Sequence, residues 1–387
     1  MGLILPILRH HHGWQQRIGT SFLFETQSED VMFNISSIIN LIFILIMASS
    51  CNSKSSDPSP SSVTPAPDFS KLIPSCFSAS ASNPVLTRDS LFSGSDWNDP
   101  SVLKIDGQYV MYASSDVNFN GTIVIYRMIS SDGLSWSLSP STPVLEADAN
   151  PTAWDRKAVE TPSVVYFNNK YHMFYTGYPV THSDVYSYKI GHATSTDGIN
   201  WTRDASYLLA PNDPTNITPN LTFNQWIVAE PAAVVFQNKI YVYFTALGAN
   251  LSVNTTLQVI GLTTSTDGVS WSNPQSVLSP DQNIYPRSTW LGYSTPFAIV
   301  LGEKMHLFFD VVQASPWKQL KIHHASSIDG VSNWTHDLSA IFSQSSFSWT
   351  SNEIRSPSAL IDGTSLFLWF AGDNGSTLGI GQSQCNL

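Results

Sequence analysis

The feature that most constrains this chain is a five-fold internal repeat. The stretch Trp97-Asn98-Asp99-Pro100-Ser101-Val102 is restated as Glu160-Thr161-Pro162-Ser163-Val164, Glu230-Pro231-Ala232-Ala233, Thr295-Pro296-Phe297-Ala298 and Ser356-Pro357-Ser358-Ala359, with the prolines 62, 69, 65 and 61 residues apart. Each proline opens an apolar run. Two turn residues follow (Asp106-Gly107, Asn168-Asn169, Gln237-Asn238, Gly302-Glu303, Asp362-Gly363), then a second run. Two such runs about a short polar turn are the signature of a β-hairpin. After four of the hairpins a third run leads into a second turn backed by tryptophan: Asp132-Gly133 with Trp136, Asp197-Gly198 with Trp201, Asp267-Gly268 with Trp271, and Asp329-Gly330 with Trp334. Four strands per repeat follow. This period is too long for a β-helix coil and suits one propeller blade. The expected fold is therefore all-β, a five-bladed β-propeller of four-stranded antiparallel blades.

The fifth repeat reaches Leu387 without an Asp-Gly-Trp strand, so its outer strand must come from elsewhere. Asn83-Pro84-Val85-Leu86 resembles Thr142-Pro143-Val144-Leu145 and Gln275-Ser276-Val277-Leu278, which follow the fourth strand in complete repeats. An N-terminal strand just before it is expected to close the ring and leave no open edge.

The repeat sets the domain plan: residues 76–387 form the propeller, 52–75 a Ser- and Pro-rich tether, and 1–51 an extension with an export signal. From Met32 a short apolar run, Ile35 to Met47, passes through small residues to Cys51. This resembles a bacterial lipoprotein signal peptide and is short for a membrane span; an uncleaved anchor is the alternative, and both export the domain. The protein is expected at the outer membrane or cell surface, or in the periplasm, with lipidated Cys51 as its only membrane contact. Lipidation leaves Cys76 and Cys385. Ring closure brings their ends together, so a disulfide is expected in an oxidising compartment, two buried thiols being the alternative.

A net charge of −11 with only 18 Lys and Arg, and no basic cluster among aromatics, argues against nucleic acid. The histidines show no metal-ligand spacing, so no metal site or cofactor is expected, although a structural ion in the central channel would fit the fold. Nothing in the sequence calls for a partner subunit, and a monomer is expected.

The hairpin turns gather at one end of the ring and the long connections at the other, where functional loops on a rigid scaffold sit. Residues just before each proline converge there: Asn98 and Asp99, Glu160 and Thr161, Ala229 and Glu230, Ser294 and Thr295, Arg355 and Ser356. Fourteen residues after each proline the second strand returns to this face with Ser114, Thr176, Thr245, Asp310 and Ala371. Asp310 stands out. It either supplies a further carboxylate or bonds backbone amides at the strand end. Trp97 and Trp154 precede blade starts and are candidate aromatic platforms for a ligand, with Asn98, Asp310 and Arg355 as further contacts; most of the other tryptophans are expected to pack between blades.

The Trp-Asn-Asp-Pro opening, the Glu-Thr-Pro-Ser-Val and Ala-Glu-Pro blade starts, Asn169-Lys170-Tyr171-His172-Met173-Phe174-Tyr175-Thr176-Gly177 and the Ser-Thr-Asp-Gly-Ile-Asn-Trp motif resemble the five-bladed β-propeller glycoside hydrolases, over residues 83–387. That superfamily includes family 43 and the invertase, levanase and mannoside phosphorylase relatives. The resemblance implies a glycosidase acting on an oligo- or polysaccharide, exported if the N-terminal segment is a signal, with Asp99 as base or nucleophile and Glu230 as acid, Glu160 being second choice. Glycoside hydrolysis needs one protonated and one ionised carboxyl. The sequence departs from family 43 in opening blade four on Ser294-Thr295-Pro296, with no acid. A carbohydrate-binding surface lipoprotein without catalysis is the alternative.

Overall fold

The computed structural model describes residues 67–116, 122–180, 184–215, 222–250 and 255–387, all within one compact unit, Pro65–Leu387. The expected signal segment, Cys51 and most of the tether lie outside the described residues. Among the described residues the chain is built of strands with short 3₁₀ turns and no α-helix.

Each repeat folds as one blade. Blade one comprises Asn98–Ile105, Gln108–Asp116, Ile123–Ser130 and Ser137–Leu138. Blade two comprises Ala158–Phe167, Lys170–Tyr178, Lys189–Ser195 and Thr202–Arg203. Blade three comprises Ile227–Phe236, Lys239–Asn250, Thr255–Ser265 and Gln275–Leu278. Blade four comprises Trp290–Leu301, Lys304–Ala314, Trp317–Ser327 and Thr335–His336. Blade five has three strands of its own: Glu353–Asp362, Ser365–Asp373 and Leu378–Asn386. Neighbouring strands within each blade pair antiparallel.

On the outer edge of blade five, Ser78 and Ala79 pair with Gln384 and Ser383, and Leu86 and Thr87 with Ile380 and Gly379. This follows the plan of the complete blades. Leu145, Leu209, Leu278 and Phe342 sit opposite Ile125, Ile190, Ile260 and Ile322 as Leu86 sits opposite Ile380. The Cys76–Cys385 disulfide fastens this segment beside the pairing, with Cα atoms 5.0 Å apart.

The recurrent tryptophans pack between blades. Trp201, Trp271 and Trp334 meet Tyr112, Phe174 and Tyr243 of the preceding blade edge-on at 5.9, 5.4 and 6.1 Å, and Trp136 of blade one meets Trp369 of blade five at 6.3 Å. Blade five has no such tryptophan. Phe77, just before Ser78, takes its place against Phe308 of blade four at 6.3 Å, again edge-on. Edge-to-face contact of this kind adds about 0.5–1.5 kcal/mol beyond the area buried.

The turns explain the polar punctuation of the repeat. Asp106-Gly107, Asn168-Asn169 and Gln237-Asn238 all have positive φ, as a type I′ hairpin requires. Blade five differs slightly from expectation: Asp362 pairs with Ser365, so the turn residues are Gly363-Thr364. At the second turns, Asp132, Asp197, Asp267 and Asp329 each accept two backbone N–H groups. At Asp329 the Ser332 hydroxyl is the strongest donor and the amides come second, whereas at the other three the amides lead; together these bonds pull Asp132 down to about 2 and the other three lower still.

The tether ends earlier than residue 75. Phe69 and Leu72, apolar residues within the Ser- and Pro-rich stretch, pack onto the core around Leu301, Phe308 and Leu366.

Candidate functional site

Every blade begins with the same backbone irregularity. The register between first and second strands shifts between Asn98 and Ser101, Glu160 and Ser163, Ala229 and Ala232, Ser294 and Phe297, and Arg355 and Ser358. The residue before each proline carries positive φ: Asp99 52°, Thr161 51°, Glu230 55°, Thr295 39° and Ser356 52°. Proline disfavours right-handed helical geometry at the preceding residue, and a bulge that uses the left-handed region normally takes glycine there. None of the five is glycine. Strained non-glycine positions of this kind are kept where the side chain is needed. Here all five side chains turn inward to line one axial cavity, together with the prolines that follow them.

That cavity holds about 30 Å³, room for roughly two waters. Glu160 and Arg355, one residue earlier on their strands, do not line it, yet both lie close enough to Asp99 to feel its charge.

A chain of hydrogen bonds runs around the axis. The bulge N–H of Thr161 donates to Ser114 Oγ at 2.9 Å, that of Glu230 to Thr176 Oγ1 at 2.7 Å, that of Thr295 to Thr245 Oγ1 at 2.9 Å, and that of Ser356 to Asp310 Oδ1 at 2.9 Å. Within blades two to four the bulge side chain also meets its own second strand. Thr161 Oγ1 bonds Thr176 Oγ1 at 2.6 Å, Thr245 Oγ1 donates to Glu230 Oε2 at 2.6 Å, and Thr295 Oγ1 donates to Asp310 Oδ2.

Three carboxylates feel one another. Glu160 is 6 % exposed. Burial holds its pKa well above the carboxylate range, and the nearby Asp99 and Glu230 add to the effect. Tyr178 and Tyr188, whose rings stack at 4.6 Å within an apolar cluster with Ala158, Ile227, Ala229 and Leu247, lie near enough to feel the charge of Glu160. Burial raises Glu230 too, but Thr245 Oγ1 and the Thr295 N–H at 2.9 Å pull the other way on its carboxylate. Asp99 is 8 % exposed and accepts a hydrogen bond from Ser356 Oγ at 2.7 Å.

Arg355 is held rather than available. Its Nη1 donates to Glu353 Oε2 at 2.8 Å and Asp373 Oδ2 at 3.0 Å, and its Nε to Asn98 Oδ1 at 3.4 Å. Burial works against its charge, but Glu353, Asp373 and Asp99 outweigh it and raise its pKa. Glu353 and Asp373 escaped the sequence reading. The signal for the first was its i, i+2 spacing from Arg355, which places both on one face of a strand.

One expected platform is corrected. Trp97 is fully buried between Phe92 and Tyr126, at 5.8 and 5.7 Å, so its ring has no face for a sugar. Trp154, only partly buried, stacks one face on Tyr175 at 5.8 Å and lies against Gly177 and Gly191. Asp310 takes the second of its two readings: it is fully buried, bonded to the Ser356 amide and the Thr295 hydroxyl, and does not line the cavity. Asn98 sits beside Arg355 at the rim. Among the described residues no group of three or more His, Cys, Asp or Glu could hold a metal ion.

Comparison with known proteins agrees with this architecture. Residues 160–287 match the glycosyl hydrolases family 32 N-terminal domain. No curated protein sequence matches the chain. Among solved structures, the chain is similar to one from the GH130 family of mannoside phosphorylases, described as containing glycoside hydrolases that target β-1,2 mannosidic linkages in Candida mannan (TM-score 0.59, 15 % identity, 79 % of this chain and 93 % of that one). It is also similar to a thermostable family-43 glycoside hydrolase (0.55, 15 %, 77 % and 92 %). A third is an exo-1,5-α-L-arabinanase from a bovine ruminal metagenomic library (0.54, 15 %, 76 % and 95 %). At these identities the likeness is one of fold, the five-bladed propeller of glycoside hydrolases.

Proposed function

We propose that the chain cleaves glycosidic bonds, with Asp99 as the ionised carboxylate and Glu160 as the acid that protonates the leaving oxygen. The observation that carries this reading is the difference in environment between two neighbouring glutamates. Burial, Asp99 and Glu230 all act to keep a proton on Glu160, whereas Glu230 receives two hydrogen-bond donors that favour its ionised form. Pairs of carboxyls whose surroundings push their pKa values apart divide acid and base work in this way. Glu230 then tunes the pair instead of donating the proton, a reversal of the roles expected from the resemblance. Arg355, fixed by two carboxylates, orients Asn98 at the rim and adds positive potential near Asp99.

Export fits the same reading. A disulfide between Cys76 and Cys385 persists in oxidising compartments, and the apolar run ending at Cys51 supplies the route out and a lipid anchor.

The test is product release from arabinan, fructan, mannan and galactan oligosaccharides, followed by chemical rescue. Aryl glycosides with good leaving groups need little protonation. They should restore turnover to Glu160→Gln and leave Asp99→Asn inactive. Rescue of Glu230→Gln instead would return the acid to blade three. Glycan binding without turnover of any substrate would replace the hydrolase with a carbohydrate-binding propeller.

A further inference from the structure

We propose that Ser356 is a positioning residue for Asp99, and that Ala371 is the position that frees it for this role. The inference rests on reading Asp99 as the ionised carboxylate of the site.

The repeat makes the argument, because each blade serves as a control for the others. In blades two, three and four the second-strand residue carries an oxygen (Thr176, Thr245, Asp310), and it engages the bulge side chain of its own blade. In blade five the equivalent position, paired with Arg355 as Thr176 is paired with Glu160, is Ala371. A methyl group offers Ser356 Oγ no partner. The hydroxyl bonds across the seam to blade one instead, donating to Asp99 Oδ1 at 2.7 Å. The Ser356 backbone is meanwhile fixed by its own N–H bond to Asp310 Oδ1, so the donor is aimed by a buried carboxylate on the neighbouring blade. The hydroxyl cannot rotate to a second-strand partner, and both ends of the bond are buried: Ser356 is 5 % exposed and Asp99 8 %.

A hydroxyl that donates to a carboxylate favours the ionised form and fixes which lone pair remains for the reacting group. The other charged and titratable groups that feel Asp99 are Glu160, Glu230 and Arg355, with Tyr178 and Tyr188 behind them. None of the five is itself replaced by the substitutions at 356 and 371, and only Arg355 adjoins either position.

The experiment reads Asp99 directly. With aspartate labelled at the side-chain carboxyl carbon in the full chain, the Asp99 signal is the one missing from Asp99→Asn, and its titration is followed by NMR. Ser356→Ala should raise the Asp99 midpoint by about one pH unit, the worth of one good donor. Ala371→Ser should raise it too, because the new hydroxyl engages Ser356 as Thr176 engages Thr161. The double variant should go no further than Ser356→Ala. Where a glycan is turned over, the acidic limb of kcat/KM should move by the same amount, with KM little changed. An unchanged midpoint in both single variants overturns the proposal, and if Ser356→Ala does not fold, Ala371→Ser alone decides. A shifted midpoint with no turnover of any glycan upholds the role of Ser356 and removes the hydrolase reading. Turnover with an unshifted midpoint does the reverse.

Discussion

Breaking the Cys76–Cys385 bond should lower the stability of the whole propeller, not of its N-terminal segment alone. The two cysteines are 309 residues apart. In the loop-entropy treatment a closed loop of that size removes roughly 19 cal/mol/K from the unfolded chain, about 5–6 kcal/mol at 25 °C. The unfolding entropy of a domain spanning Pro65–Leu387, at roughly 2.1 cal/mol/K per residue, converts this to a fall in Tm of about 8 °C. Cys76→Ala is the better substitution. Cys385 is fully buried in the core with Phe308 and Leu368, and its loss would add a packing defect. Oxidised protein, reduced protein and Cys76→Ala should be melted side by side, with urea denaturation in parallel. The oxidised form should also show the smaller m-value, because its unfolded state exposes less surface. Equal midpoints for the three forms would refute the reasoning. So would a reduced form that loses only the Ser78–Ala79 pairing, visible as exchange of a few amides, while the global transition stays in place. The seam matters for the site as well, since Ser356 to Asp99 and Arg355 to Asn98 both bridge blades five and one.

Other outcomes can be stated more briefly. Glu160→Gln should stabilise the protein at neutral and alkaline pH and leave it unchanged in acid. A carboxyl with a raised folded pKa contributes stability that is fully present below its unfolded pKa and lost as pH rises through the folded value, so paired melts at low and neutral pH should separate only in the second. The four turn aspartates act oppositely. Their folded pKa values are depressed, so their contribution holds above the ordinary carboxylate range and fades as pH falls toward about 2; Asp197→Ala should lose stability at pH 7 and converge with the parent in strong acid. Gly292→Ala should cost several kcal/mol or fail to fold, because φ is +145° and an added Cβ would lie 1.9 Å from the Gln258 carbonyl oxygen. Metabolic labelling with a fatty acid should mark the exported protein and not its Cys51→Ser variant, and an unlabelled parent would sink the lipid anchor.

The propeller was legible because its strands repeat. Proline, hairpin turn and Asp-Gly-Trp recur at fixed offsets, and inter-blade packing depends on those same residues. The offset of fourteen residues even placed Ser114, Thr176, Thr245, Asp310 and Ala371 on the axial face. What the offset could not carry was the backbone at the blade starts. A bulge before each proline turns Asp99 and Glu230 into the cavity and leaves Glu160 and Arg355 outside it, whereas the sequence reading placed all four in one ring. Trp97 was misjudged for a related reason: a position beside the funnel does not determine which way a ring faces, and Phe92 and Tyr126 enclose it. Phe77 was missed because a phenylalanine stands where the repeat has tryptophan, and because it lies some 300 residues from the strand it completes.

That separation orders events in time. Ser78 meets Gln384 across 306 residues, so the outer strand of blade five has no partner until nearly the whole domain exists. At about 5–20 residues per second, residue 78 waits roughly 15–60 s for residue 384. Blades one to four can form from contacts within their own repeats during that interval, but the ring cannot shut. Blade five is therefore the last to gain its outer strand, and until residues 379–384 are made the 78–87 segment has nothing to pair with.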